Sequence, residues 1–406
     1  MNKTAQQPEA EDADGHSQRY RDMLDRAEAL VPTLADRAVE AETLRRLPPD
    51  TERDLHDSGL YRILQPRRIG GAQLSYRALI DFGAVLARGC ASTAWNLTNL
   101  ASHHWMLAMF PATAQDRVWN ENPDALIASS FIFPAGKARA VDGGYLLSGR
   151  WPFSSGVDPS QWNMLSGIVA AEDGAEPDHR VFLVHHSDYE VIDTWDTSGL
   201  KGTGSNDVVC EDVFVPAELS VSANDLKGGP TPGSGRNPSA LYQLPVFALF
   251  PLILSGVGLG IAEASYADYV NSIRARASKY SGAKLAELQS TQVRIGGVGA
   301  RVDIARRVML GICDDAMADA RRGVVPDLER RMAYRRDVAY ATNKCIEAVD
   351  MVCAGSGAQA LYSSNPLQRR FRDAHAVAAH IAFSMDAATS AHGRVALGLD
   401  TMHSTI

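Results

Sequence analysis

The apolar residues change period twice along the chain, and this limits the fold more than any other feature. Near the N-terminus Tyr20, Leu24, Ala27, Val31, Leu34 and Ala38 recur at intervals of four and three, which makes one stripe of an α-helix. Near the C-terminus Val298, Val302, Ala305, Met309 and Ile312 do the same, as a bundle seam does. Between Ala125 and Pro216 the apolar residues fall instead into short runs: ALIASSFIF, GYLLSGRWPF, WNMLSGIVAA, HRVFLVHH, YEVIDTW and DVVCEDVFVP. Gly, Pro, Asp and Ser separate them, which predicts the short strands of a β-sandwich or barrel. The fold class is therefore α+β, in the order α, β, α. The segment LKGGPTPGSGRNPSA at 226–240 marks a boundary. The expected units are a disordered tail at 1–15, a helical domain at 16–124, a β domain at 125–235 and a helical bundle at 236–406.

Local signals refine this order. Pro32 lies inside the first stripe and predicts a kink or an early turn there. LPPD at 47–50 stops that helix, and Ser58-Gly59 ends a short second one with glycine at the C-cap. GLYRILQPRRIGGAQLS reads as a loop with strand-like character. Helices are expected again at 76–88, 93–109 and 113–120, with Thr113 and Asp116 as an approximate capping box. In the last part they are expected at about 327–354, 365–378 and 381–396.

From Leu244 to Ile261 no residue carries a charge, long enough to span a membrane. Two prolines, Ser255, Gly256, Gly258 and Gly260 interrupt it, and no tight Lys/Arg cluster flanks it. A buried helix, with glycines that let neighbours approach closely, is the expectation. Against 40 Lys and Arg stand 48 Asp and Glu, a net charge of −8 without a basic block, which argues against nucleic acid as partner. Five widely spaced cysteines without a CxxC fit neither a disulfide framework nor a zinc site, and make a reducing, cytoplasmic setting the expectation. The polar start MNKTAQQPEAEDADG has no apolar core of a signal peptide.

Common catalytic motifs are missing: no G-x-G-x-x-G after a strand, no P-loop, no G-x-S-x-G and no HExxH. GLKGTGSND at 199–207 leads into a strand, so it reads either as a hairpin turn or as a turn offering backbone N–H groups with Thr203 and Ser205. GRWPFSSGVDPSQW at 149–162 joins aromatic rings to the adjacent Ser154 and Ser155, which suits a flat, polar-edged heterocycle, or simply a strand end packed by Trp151. His375 and His380 are five apart, about 140° on a straight helix, so they do not share a metal. Each histidine is either a packed or surface residue or a proton donor in an apolar pocket.

Taken together, IGGAQLS at 69–75, GRWPFSSG at 149–156, GLKGTGSNDVVCEDVFVP at 199–216, KLAELQ at 284–289 and RRFRDAHA at 369–376 resemble the acyl-CoA dehydrogenase fold. That resemblance implies an N-terminal helical domain, a middle β domain and a C-terminal four-helix bundle. GCASTAWNL, HHWMLAMFP, GRWPFSSGVDPSQWNML and RDAHAVAAHIAFSMDAA look more like the oxygenase components of two-component flavin-dependent monooxygenases, such as 4-hydroxyphenylacetate hydroxylase. Laying RDAH on the dehydrogenase motif puts Ile381 where many dehydrogenases carry a catalytic glutamate, and an isoleucine cannot remove a proton.

The monooxygenase resemblance implies reduced flavin (FMNH2 or FADH2) from a separate flavin reductase, O2, a C4a-hydroperoxyflavin and hydroxylation of a small aromatic substrate by a homotetramer. It assigns the serine near flavin N5 to Ser155, with Ser154 second. A histidine near C4a matches His380, with His375 second. A histidine that takes the substrate hydroxyl proton matches His103 or His104, with Ser129 or Ser130 holding the substrate. Trp151, Phe153, Thr203 and Ser205 would line the flavin ring, Ser356 and Gly357 its tail, and Arg274, Arg276 and Lys279 its phosphate, unless those bases are only a solvated helix face. Trp105, Phe131, Phe133, Phe247 and Phe250 would wall the substrate pocket. Two alternatives stay open: a dehydrogenase that passes hydride to FAD, and a non-catalytic flavin-binding protein on this scaffold.

Overall fold

The computed structural model describes residues 17–170, 176–277, 282, 284–401 and 405–406. The tail expected at 1–15 lies outside these residues. The Ser17 side chain accepts from the Tyr20 amide and starts α1, Gln18–Leu44. α1 continues as one helix through Pro32, which therefore lies well inside it and not in its first turn. Ala27, Leu34 and Ala38, on both sides of the proline, are buried on one core and hold both halves of the helix against it. α2 (Pro49–Asp57) ends at Ser58, and Gly59 follows at φ +73°. The stretch expected to have strand character forms two 3-10 turns, Leu60–Arg62 and Arg67–Ile69. Gly70 at φ +87° closes the second, so the backbone bonds locally instead of joining a sheet.

α3 (Ala78–Ala87) and α4 (Ala91–Leu107) are buried almost throughout. α5 (Ala112–Trp119) starts behind Pro111 with no side-chain cap; Asp116, expected in a capping box, pairs with Arg236 instead.

Eight strands follow: β1 Ile127–Ser130, β2 Gly136–Val141, β3 Gly144–Ser154, β4 Trp162–Val169, β5 Asp178–His185, β6 Glu190–Ile192, β7 Asn206–Pro216 and β8 Ser220–Ser222. They form one mixed sheet in the order β6-β7-β3-β2-β4-β5-β8, with β1 added parallel to β4. The two strands without a distinct apolar run are β2, GKARAV, whose residues mostly alternate with exposed ones, and β8, three residues long. Both are defined by their partners rather than by their own sequence.

The C-terminal part holds α6 (Val246–Ala275), α7 (Gln289–Arg321), α8 (Leu328–Ser356), α9 (Pro366–Ala378) and α10 (Met385–Ala396). The seam Val298, Val302, Ala305, Met309 and Ile312 is buried on α7 as its spacing predicts. α6 is long and apolar enough to cross a membrane, but 89% of its most apolar window is buried in the fold. Its glycines are the reason it packs so closely. A Cβ on Gly256 would stand 2.7 Å from the Ile80 carbonyl oxygen, and one on Gly260 would stand 2.1 Å from that of Ala84.

Candidate active site

Every residue of α4 is buried, although six of its side chains are Asn or His or carry hydroxyls near its middle and end. A polar group in such a helix needs a partner or a purpose. Trp95, Asn99 and His103 follow one another at intervals of four and so share one face. That face meets the end of β3. There Phe153 takes φ +65°, where aromatic side chains are rare, at a register break between β3 and β7. The turn sends the two following serines apart. Ser154 accepts from Asn163 Nδ2 on β4 at 2.9 Å, while Ser155 meets α4.

Trp95 Nε1 donates to Ser155 Oγ at 3.0 Å. Ser155 Oγ lies 2.8 Å from Ser205 Oγ, and Ser205 Oγ lies 2.7 Å from Thr203 Oγ1. Thr203 Oγ1 donates to the Leu200 carbonyl at 2.9 Å. The 200–205 turn is held from α9, where Asp373 Oδ1 accepts from the Leu200 amide at 2.7 Å. Close approach needs Gly199, because a Cβ there would stand 2.3 Å from the Arg372 carbonyl oxygen. Burial raises the Asp373 carboxyl to about 6; the Leu200 amide opposes this.

An arc of rings runs from Ser155 to His103. Trp95 and His380 have centroids 5.7 Å apart, His380 and Phe250 6.0 Å, Phe250 and Phe131 5.8 Å, and Phe131 and His103 5.9 Å. Phe247 joins at 5.7 Å from Phe131, and Phe133 at 5.5 Å from Phe247. His380 caps the 3-10 turn Ile381–Phe383, and its Nδ1 accepts from the Ala382 amide at 3.1 Å. A neutral ring so held carries its proton on Nε2. Surrounding protein, with the Arg335 guanidinium adding repulsion, lowers its pKa to about 4.

His103 is held the other way. Its Nδ1 meets the Ile127 carbonyl oxygen, which only accepts, so Nδ1 carries the proton. Nε2 is buried without a hydrogen-bond partner, and burial lowers the ring to about 4. The result is a neutral imidazole with an open lone pair beside an aromatic cluster.

Several expected site residues take no part in this arc of rings or in the hydroxyl chain. His104 turns toward α5: its Nδ1 accepts from Trp119 Nε1 at 3.2 Å, and its ring stacks on Trp119. Trp105 is in the core, donating to the Leu241 carbonyl and packed on Tyr76. Trp151 is fully buried within the sheet with its N–H on the Ser166 carbonyl. Phe153 is 61% exposed, its ring 6.3 Å from Trp195. His375 is exposed and pairs with Asp350 at 3.0 Å. One helical turn separates it from the helix end, and His380 follows beyond that end, so the two do not converge. Ser130 donates to the Pro152 carbonyl at 2.8 Å, whereas strand alternation on β1 turns Ser129 to the opposite face. Arg274 and Arg276 flank the end of α6, and Ser356 and Gly357 the end of α8, none of them joined to the arc by a described bond. Lys279 lies outside the described residues. Trp95, Asn99 and Arg335 join this cluster, although they are not singled out from the sequence. The four-residue spacing on α4 was the available signal for the first two; Arg335, which donates to the Phe247 carbonyl at 2.7 Å, had none.

Residues 252–385 match the family model described as acyl-CoA dehydrogenase, C-terminal domain. Over 386 residues the chain is 38% identical to the flavin-dependent monooxygenase, oxygenase subunit HsaA, of Rhodococcus jostii (strain RHA1), covering 93% of this chain and 100% of that protein. It is 34% identical to the FADH(2)-dependent resorcinol hydroxylase, oxygenase component, of Rhizobium sp. (strain MTP-10005), covering 93% and 94%. The chain belongs to the flavin-dependent monooxygenase oxygenase-component family. Among solved structures, 3-HSA hydroxylase from Rhodococcus sp. RHA1 superimposes with a TM-score of 0.86 at 36% identity, covering 94% of this chain and 99% of that one. XiaF from Streptomyces sp., in complex with FADH2 and glycerol, gives 0.86 at 27% identity, covering 95% and 97%. The acyl-CoA dehydrogenase-like fold expected from the motifs is thereby established for this chain.

Proposed function

We propose that this chain hydroxylates a phenol, as the oxygenase component of a two-component system that receives reduced flavin from a separate reductase. The observation that carries the substrate class is His103. A buried neutral ring with its Nδ1 proton fixed on Ile127 and its Nε2 lone pair open calls for a hydroxyl donor between the rings. His103 Nε2 would accept that proton and raise the electron density of the ring, with Ser129 beside it. Phe131, Phe247 and Phe250 would exclude water and hold the ring by edge contacts.

The residues present fit a reduced flavin. Ser155 Oγ accepts from Trp95 and keeps a second lone pair, and His380 Nε2 carries a proton that can be donated. Bound reduced flavin supplies the electrons that activate dioxygen. Ser155 would hold its central ring, His380 would donate to the activated oxygen, and Thr203 and Ser205 would support Ser155. Arg274, Arg276, Lys279, Ser356 and Gly357 are proposed for the remainder of the cofactor. Assembly as a homotetramer is part of this proposal; exposed apolar side chains such as Leu361, Tyr362 and Ile381 support it. Free cysteines at all five positions suit a cytoplasmic setting.

A dehydrogenase of the kind that carries its glutamate after the RDA motif would find there Ile381, 70% exposed and unable to remove a proton. Rapid mixing of the enzyme and reduced flavin with oxygen, with and without a phenol, tests the proposal. One oxygen atom should enter the phenol but not its methyl ether. Equal reaction of the ether, or reoxidation indistinguishable from that of free flavin, would refute it.

A further inference from the structure

The hydroxyl chain behind Ser155 has a direction. Each hydroxyl has one proton to donate and two lone pairs. Thr203 Oγ1 donates to the Leu200 carbonyl, so it can only accept from Ser205. Ser205 then has no proton left for Ser155 and can only accept from it. At the far end, indole Nε1 of Trp95 only donates, and it donates to Ser155. The protons therefore all run one way: Trp95 to Ser155, to Ser205, to Thr203, to the carbonyl of Leu200. Ser155 is left with one open lone pair and no open proton. Asp373 fixes the end of the chain by holding the Leu200 amide. Ser155, Thr203 and Ser205 are all buried, so bulk water does not readily replace a lost partner.

We infer that this one-way chain selects the redox state of the flavin, with Thr203 and Ser205 as the residues that determine it. The inference rests on the placement of the flavin ring at Ser155. Reduced flavin carries hydrogen on N5 and donates; oxidised flavin has a bare N5 and accepts. The open lone pair of Ser155 takes the N5 hydrogen with the chain undisturbed. To serve a bare N5, Ser155 must turn its proton outward. Ser205 and Thr203 must then reverse as well, and the bond from Thr203 to the Leu200 carbonyl is lost. One lost buried bond corresponds to about five- to tenfold in affinity.

The test is equilibrium binding of FMN and of FAD, each oxidised in air and reduced anaerobically, to the intact protein. In Thr203→Val, Ser205 loses its acceptor and donates back to Ser155, which frees the Ser155 proton. In Ser205→Ala that proton is freed directly. Both should lower the ratio of the oxidised to the reduced Kd about five- to tenfold, and Thr203→Ser, which keeps the hydroxyl, should leave it unchanged. An unchanged ratio in whichever of Thr203→Val and Ser205→Ala folds, together with weakened reduced-flavin binding in Ser155→Ala, would overturn the directional chain alone. If Ser155→Ala alters neither Kd, the flavin ring is not at Ser155, and the proposed site fails with the inference.

Discussion

His103 and His104 are neighbours on α4, yet their Nδ1 atoms do opposite things. Nδ1 of His103 donates to the Ile127 carbonyl, whereas Nδ1 of His104 accepts from Trp119 Nε1. The first ring therefore presents a lone pair on Nε2 and the second a proton. Burial lowers both, to about 4 and about 3. Only His103 faces the aromatic cluster, through Phe131.

Replacing the two should give different losses. His103→Ala should lower kcat on a phenol about 10²- to 10⁴-fold, the usual worth of a positioned base. His104→Ala should leave kcat within a few-fold but lower stability by about 1–3 kcal/mol, because the Trp119 N–H loses its acceptor inside the fold. Steady-state kinetics and thermal unfolding separate the two effects.

The low pKa of His103 fixes a pH limb. A base that titrates near 4 stays unprotonated from neutral pH down to about 5. The kcat/KM for a phenol should stay level from pH 7 to pH 5 as far as this group is concerned. A limb near 6.5 that disappears in His103→Gln would show that the ring titrates like an exposed histidine.

Ser155 and Ser154 are separated by direction rather than by chemistry. Ser155→Ala should raise hydrogen peroxide release at the expense of product several-fold. Ser154→Ala should leave that coupling unchanged and cost about 1 kcal/mol through the bond from Asn163. Peroxide and product measured in the same reaction decide it.

Asp373 should set a pH dependence of stability. Its pKa rises from the ordinary 3.8 to about 6 in the fold, chiefly through burial, with Glu42 adding to the rise and Arg372, Arg369 and the Leu200 amide opposing it. The folded state then binds more protons than the unfolded one between these values. The contribution is fully present below 3.8 and is lost as pH climbs through about 6. Relative to Asp373→Asn, the native protein should lose on the order of 2 kcal/mol between pH 4 and pH 7. Unfolding curves of the two proteins at each pH check the sign.

Packing of α6 on α3 gives a test away from the chemistry. Gly260→Ala puts a methyl against the Ala84 carbonyl and should destabilise by about 2 kcal/mol or more. Gly311→Ala on α7 meets nothing within 4 Å and should stabilise by about 0.5–1 kcal/mol. Melting temperatures of the two variants should move in opposite directions.

The sequence determined the order of helices, strands and helices, because periods of 3.6 and 2 are written locally in which residues are apolar. It also carried the family motifs, and with them the flavin chemistry and the pairs Ser154/Ser155 and His103/His104. It ranked Ser155 before Ser154 by resemblance alone and left His103 and His104 equal. Consecutive residues differ only in the direction their side chains take, and that depends on a positive φ at Phe153 and on which carbonyl or indole lies opposite. The strand β2 has no distinct apolar run for a related reason: its pairing with β3 and not its own sequence defines it. The hydroxyl chain joins residues from α4, the end of β3 and the 200–205 turn, and α9 holds that turn in place. Only the tertiary structure brings these segments within hydrogen-bond distance, and only there do the single protons of three hydroxyls acquire a direction.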